Sequence, residues 1–248
     1  MTTELSEIVT LLDTTLCISE VKDAPVALNG LQVENNGRVT KVALAVDGSQ
    51  RTLDAAVAEG ADLLVLHHGL YWCGLRPLTG WWKRKIETCL NANLAVYAAH
   101  LPLDVHPELG NNARLARALE LQDVRRELDY CLSGVFAGTV AQLRERYAAI
   151  TGSEITGPMP TPDAAAGRIA LCSGGGGPEL YAVQKLGFST FLTGEENHWV
   201  TYTAEDMGMN LFFAGHYATE TLGVKALGEL LTERFGLPVV FLDNPTGM

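Results

Sequence analysis

Residues 41–69 read KVALAVDGSQRTLDAAVAEGADLLVLHHG. Two apolar runs, 41–46 and 62–66, are too short for helices and are bounded by turn or polar residues, so each predicts a buried strand. Between them, 51–59 has helical spacing and stops at Gly60. Apolar strands separated by a helix predict a parallel or mostly parallel α/β sheet covered on both faces. The second strand runs directly into His67 and His68.

The alternation continues on both sides. Leu5, Ile8, Val9, Leu12 and Leu16 predict an amphipathic helix over 4–16. Downstream, helices are predicted over 81–91, 107–121, 141–150, 178–186, 198–207 and 219–235. Strands are predicted over 94–98, 132–140, 168–172, 190–193, 210–214 and 238–242. The run 156–166, TGPMPTPDAAA, predicts a loop. The chain also repeats itself. With a shift of 127, KVALAVDG at 41–48 lies over RIALCSGG at 168–175, and His67-His68 lands on Gly194-Glu195. With a shift of 116, Tyr97-Ala-Ala-His100 lies over Phe213-Ala-Gly-His216. A carboxylate follows each of these histidines by four residues, Asp104 and Glu220. Two related α/β halves are therefore expected: 1–125 plus about 235–248, and 126–234.

The 248 residues carry 29 acidic and 18 basic side chains, a formal net charge of −11, with 47% hydrophobic and 19% charged residues. That balance builds a globular core and excludes a disordered chain. An acidic surface repels phosphate backbones, which argues against a nucleic-acid partner. No uncharged apolar run reaches the ~18 residues of a membrane span. Residues 1–13 carry acidic side chains and no basic run, unlike a secretory signal. Cys17, Cys73, Cys89, Cys131 and Cys172 are widely spaced and form no C-x-x-C. They predict buried or half-buried free thiols in a cytoplasmic protein.

The histidines carry the chemistry. Only six occur, and three groups fall at predicted carboxyl ends of strands: His67 with His68, His100 with Asp104, and His216 with Glu220. In open α/β sheets ligands bind at that edge. Imidazole and carboxylate without thiolate suit Zn, Fe, Mn, Co or Ni. Adjacent histidines point in different directions from an extended backbone. His67 and His68 therefore suit two neighbouring metals, completed by one acid from each half and His216. A lone histidine is more often a hydrogen-bonded structural group, and His106 and His198 read that way. In the turn at 173–177, SGGGG, the N–H groups of Gly174, Gly175 and Gly176 could face a phosphate, although a plain tight turn explains them equally. Tyr71, Trp72, Trp81 and Trp82 flank the histidine pair and read as core, as a subunit contact or as a stacking surface for a base.

Together these residues carry a resemblance. The stretches Asn29-Gly-Leu-Gln-Val33, His67-His-Gly-Leu-Tyr-Trp72, Ala99-His-Leu-Pro-Leu-Asp-Val-His-Pro-Glu-Leu-Gly-Asn-Asn112, Leu192-Thr-Gly-Glu195 and Ala214-Gly-His-Tyr-Ala-Thr-Glu220 are similar to motifs of the Nif-three-like family. This is the dinuclear metal-centre family often labelled GTP cyclohydrolase 1 type 2. The similarity runs from about 26 to 245 and is closest to short bacterial members, because no extra central domain separates the halves.

The resemblance implies two interlocked α/β domains with mixed or parallel sheets and a metal site between them. It implies two divalent ions per chain, held by His67, His68, Asp104, His216 and Glu220. It makes His100 a proton carrier or near neighbour of the site, and it implies a ring-shaped homohexamer. Glu195 joins Gly174, Gly175 and Gly176 as a candidate on the substrate side. Many members carry a histidine a few residues after T-G-[DE]; here His198 follows Glu195 by three positions, closer than usual, and its role stays open.

The implied activity is metal-dependent hydrolysis, in which paired ions lower the pKa of water towards neutrality. With GTP, attack would fall on C8 of the guanine and open the imidazole ring, with His100 moving a proton. Phosphoester hydrolysis would use the same metals. A non-enzymatic metal-binding or assembly protein is the rival reading. Five ligands for two ions leave coordination positions open, which favours catalysis. The expected partners are a small nucleotide and further copies of the chain, with no membrane.

Overall fold

The computed structural model describes residues 2–195 and 197–247. Met1, Glu196 and Met248 lie outside the described residues. In chain order the elements are β1 Thr3–Glu4, α1 Leu5–Leu16, β2 Gly30–Val33, β3 Arg38–Val39, β4 Val42–Asp47, α2 Gln50–Ala58, β5 Leu63–His68, α3 Gly80–Asn91, β6 Ala95–Ala98, α4 Leu101–Asp104, α5 Asn111–Ala118 and β7 Gln122–Arg126. There follow β8 Leu132–Thr139, α6 Val140–Thr151, β9 Ala165–Cys172, α7 Leu180–Lys185, β10 Thr190–Thr193, α8 His198–Asp206, β11 Asn210–Phe213, α9 His216–Thr219, α10 Thr221–Phe235 and β12 Val239–Phe241. The chain divides into two units, 1–109 with 223–244, and 110–222 with 245–248.

The first unit holds a sheet in the order β12-β4-β5-β6-β2. Its first four strands run parallel and β2 runs antiparallel on the edge. Ala43, Ala45, Leu64, Leu66 and Val96 pack against Leu53 and Ala56 of α2 and Trp82 and Cys89 of α3. Each large apolar side chain so buried contributes about 1.5–3 kcal/mol. The alternate residues of β4 are equally buried, so the strand is apolar from Val42 to Val46. A Cβ at Gly228 of α10 would run into Leu44 and sit 2.9 Å from Val239, so glycine lets this helix close on the sheet. Ser49 caps α2 by accepting from the Thr52 N–H. α1 buries Leu5, Ile8, Leu12 and Leu16, and its Asp13 accepts from the Tyr97 hydroxyl at 2.8 Å. Burial, with Asp13 beside it, pushes the Tyr97 phenol well up.

The second unit holds the order β11-β10-β9-β8-β7. β9, β10 and β11 are parallel, and β8 and β7 continue antiparallel. On one face Leu143 and Tyr147 of α6 and Leu115 of α5 pack on Ile169, Leu171, Leu192 and Phe212. On the other, Leu180, Val183, Val200 and Ala204 pack on Ala170, Phe191 and Leu211. A capping box between Thr139 and Gln142 starts α6. The buried Tyr147 hydroxyl donates to the Thr193 carbonyl at 3.0 Å.

The fold is thus mixed α/β. Each unit contains three parallel strands in the same order, β4-β5-β6 and β9-β10-β11. The shift of 127 sets β4 on β9 and β5 on β10, and the shift of 116 sets β6 on β11. The sheets are mixed, within what the resemblance implied, with β2, β7 and β8 as antiparallel additions that the apolar runs alone do not announce. Several expectations need correcting. β7 is exposed at every residue and offers no apolar pattern to read. The helix predicted over 107–121 begins only at Asn111, with Gly110 extended as its N-cap. β9 starts at Ala165, inside the predicted loop. By contacts, 110–125 groups with the second unit and 223–234 with the first, because Leu115 packs beside α6 and Gly228 lies on β4. Cys17 and Cys73 are exposed, whereas Cys89, Cys131 and Cys172 are buried; burial pushes the Cys89 thiol up to about 11. Among the described residues no helix is long and apolar enough to cross a membrane.

Candidate metal centre

In the first unit, β5 delivers His67 and His68 to its carboxyl end, and β6 leads through Ala99 to His100. One nitrogen from each of the three rings falls within 4.8 Å of the others. Nδ1 of each ring is tied to an oxygen. His67 Nδ1 lies 2.9 Å from the Ala99 carbonyl, and His68 Nδ1 lies 2.8 Å from Asp47 Oδ1. His100 Nδ1 lies 3.0 Å and 3.1 Å from the two Asp23 oxygens. A carbonyl or carboxylate in that position accepts a hydrogen bond from Nδ1–H, which leaves the lone pair of each neutral ring on Nε2. Asp104, on α4, brings Oδ2 to 3.4 Å from His67 Nε2. The Trp72 ring packs on His100 and His68, with centroids 4.5 Å and 5.2 Å away.

In the second unit, β11 leads into the short helix α9, which begins at His216. His216 Nδ1 lies 2.9 Å from Glu195 Oε1, and its Nε2 lies 3.1 Å from Glu220 Oε1. Burial disfavours the charged ring, but the hydrogen bonds and charges of Glu220 and Glu195 outweigh it and hold His216 up to about 9. Gly174 passes close to this pair in a left-handed conformation, φ +60°; a Cβ there would collide with Glu220 Oε1 and stand 3.1 Å from His216 Nε2.

The profile of the Duf34/NIF3 (NGG1p interacting factor 3) family matches residues 3–247. The chain belongs to this family. It is 41% identical, over 98% of its length and 99% of the relative's, to a protein of Archaeoglobus fulgidus named GTP cyclohydrolase 1 type 2 homolog. It is 36% identical to one of the same name from Escherichia coli (strain K12), over 88% of this chain and 90% of that one. Among solved structures it is similar to protein ybgI, of unknown function, at TM-score 0.91 and 34% identity, covering 99% of this chain and 100% of that one. It is also similar to a Thermus thermophilus protein at TM-score 0.89 and 39% identity, over 99% and 100% of the two chains.

Several motif residues of this NIF3-family chain prove to be scaffolding for its histidines. The Asn29 amide donates to Asp23 at 2.8 Å, and its oxygen accepts from the His100 N–H at 2.7 Å. Gln32 accepts from the Leu70 N–H at 2.8 Å and fills the space where a Cβ of Gly69 would stand. Asp47 and Asp23, which anchor His68 and His100, were not singled out from sequence. Their only signal is an acid in a turn, which most surface loops share. Burial would raise the Asp23 carboxyl, but the hydrogen bonds from His100 and Asn29 outweigh it and hold it below the usual range. His106 sits apart from these residues in role: its Nδ1 accepts the Glu108 and Leu109 N–H groups and organises a turn.

The Gly174 and Gly176 N–H groups, suggested as facing a phosphate, are engaged within the chain. The Gly174 N–H donates to Thr219 Oγ1 at 2.9 Å and the Gly176 N–H to Thr193 Oγ1 at 3.0 Å. The Ser173 N–H is held by Asn112 at 2.7 Å. These glycines are explained by close packing around His216 and Glu220, and only Gly175 remains exposed.

The donor set suits borderline divalent ions: imidazole nitrogens with anchored rings, and carboxylate oxygens nearby. Metal binding requires a neutral imidazole, whereas His216 of the metal-free chain is protonated at pH 7, below its value of about 9. The stability that this proton lends is full below the ordinary histidine range and is lost as pH rises through about 9. As a metal ligand, His216 would release about one proton on uptake at pH 7, and affinity would climb with pH until about 9 and then level off. Calorimetry in two buffers of different ionisation enthalpy reads this directly. Heats identical in both buffers would refute it.

Proposed function

We propose that the chain is a dinuclear metal-dependent hydrolase that opens the imidazole ring of a purine nucleotide, with GTP the first substrate to test. One observation carries the reading. His67, His68 and His100 converge with every Nδ1 anchored to an oxygen, in a chain whose relatives bear the GTP cyclohydrolase 1 type 2 homolog name. In this reading His67, His68, Asp104, His216 and Glu220 hold two divalent ions drawn from Zn, Fe, Mn, Co or Ni. Bound, such ions supply Lewis acidity and make water a competent nucleophile near neutral pH.

The chain's own residues do the rest. The Ala99 carbonyl and Asp47 keep the His67 and His68 rings in one tautomer and one orientation. Asp104 and Glu220 bring the negative charge that offsets two dications. His100, anchored by Asp23, takes and returns a proton at Nε2. The oxygen of one water bonds to guanine C8 as N7 gains a proton, and the C8–N9 bond then breaks with the second water proton passing to N9, leaving a formamide heavier than the substrate by one water.

The test is elemental analysis of protein purified without a metal-affinity tag, followed by GTP turnover with product mass. About two metals per chain and a product heavier by one water support the proposal. Phosphate release without ring opening would replace it with a phosphoesterase. Metals without turnover of either kind would favour a metal-binding or assembly protein. The reading extends to a ring-shaped homohexamer, for which light scattering should give six times the chain mass.

A further inference from the structure

The second unit contains a cleft of about 510 Å³, within the size range of small-ligand sites. It opens beside His216, since Gly215 and Tyr217 line it on either side of that residue. Its polar side chains are the carboxylates of Glu154 and Glu195, the hydroxyls of Ser153, Thr156 and Thr201, which donate as well as accept, and the His198 ring. Its apolar wall includes Phe213 and Tyr217. None of the described residues lining it is lysine or arginine. An anionic phosphate would face the Glu154 carboxylate, and the one cation beside the cleft, His216, is already paired with Glu195. A flat heterocycle that donates hydrogen bonds fits both the apolar wall and the acceptors.

Glu195 is already engaged by His216 at 2.9 Å, which leaves Glu154 as the carboxylate for the incoming ring. Guanine presents two parallel donors on one edge, N1–H and the 2-amino group, and a carboxylate accepts both. That edge lies opposite C8. Seating it on Glu154 turns the imidazole ring away from Glu154 and sends the phosphates out of the cleft. The cleft also gives His198 a place: it lines the wall.

We propose that this cleft seats the base of the substrate, an amino-substituted purine of guanine type, with Glu154 reading its N1–H and 2-amino edge. The proposal rests on the hydrolase reading for what happens to the base, but base binding can be measured without turnover. Guanosine and inosine are titrated calorimetrically into the full metal-loaded chain, and metals per chain and GTP turnover are recorded on the same samples. Guanosine should bind at least about 10-fold tighter than inosine, which lacks the 2-amino group. Glu154→Gln, on an exposed segment, replaces one acceptor by a donor and should erase that difference. Thr201→Trp fills the cleft and should weaken guanosine at least about 10-fold while metals per chain stay unchanged. Equal binding of the two nucleosides to the wild-type chain, guanosine binding indifferent to both substitutions, or no guanosine binding would each overturn the assignment. Selective, Glu154-dependent binding in a chain without turnover would keep the cleft and remove the hydrolase. Turnover that ignores both substitutions would do the reverse.

Discussion

His67→Ala is expected to leave a folded chain that binds fewer metal ions and turns over GTP at least about 100-fold more slowly. His67 is fully buried at the end of β5, with Nδ1 on the Ala99 carbonyl at 2.9 Å and Nε2 3.4 Å from Asp104. The substitution removes a proposed ligand, leaves a small cavity and takes a hydrogen bond from a carbonyl, which together cost about 1–3 kcal/mol. A domain of ordinary stability survives that loss. Loss of one nitrogen ligand from a site with five proposed ligands does not leave the metal affinity intact. Asp47→Asn separates ligand from anchor: His68 stays, but its Nδ1 partner changes from a carboxylate to an amide. Such outer partners are worth about 10–100-fold in metal affinity, so this variant should fall between wild type and His67→Ala. Elemental analysis, a urea midpoint and turnover on each sample give the three readouts. Two metals per chain and full turnover in His67→Ala would remove this histidine from the site.

Gly174→Ala is expected to damage the second unit's cluster without replacing any of its side chains. The backbone at Gly174 is left-handed, φ +60°, which costs a non-glycine residue about 1–2 kcal/mol. The added methyl would strike Glu220 Oε1 and crowd His216 Nε2 at 3.1 Å. Relaxation is hard, because the Gly174 N–H is held by Thr219 Oγ1 and its carbonyl accepts from the Gly194 and Glu195 N–H groups, all at 2.9 Å. We expect a stability loss of about 3 kcal/mol by urea unfolding, together with loss of the pH-dependent proton release assigned to His216. Gly175→Ala is the stability control: no left-handed angle is required there, and the nearest atom to its Cβ is His216 Cε1 at 3.7 Å. If Gly174→Ala proves as stable as Gly175→Ala, the close approach to Glu220 carries no weight.

The parts of the fold legible in the sequence are those where one physical cause dominates. β4, β5 and β6 are covered on both faces and read as apolar runs, as do β10 and much of β11. The histidines at their carboxyl ends follow from the same runs. What escaped depends on partners far away in the chain. β2 and β7 exist because an edge of a sheet accepts an antiparallel neighbour, and nothing in QDVRR at 122–126 announces it. Asp23 reaches His100 across 77 positions, and Asp47 reaches His68 across 21. A single sequence shows both as ordinary acidic turn residues. Pro107 invited a helix start, but the chain first closes a turn on His106 and restarts after Gly110.

The interleaving of the units sets an order of events during synthesis. Residues 110–222 form an almost uninterrupted stretch, whereas the first unit needs 223–244 before it is whole. Until β12 is made, β4 has a bare edge, and Leu44 lacks the cover that α10 provides at Gly228. A bare edge on an apolar strand is where nascent chains stick to one another. The unit begun first must therefore wait for 223–244 to gain its last strand, and ribosome-bound chains ending before residue 223 should show protease resistance over 110–222 ahead of 1–109. In the cell, it is the earlier-made segment that would need a chaperone's shelter.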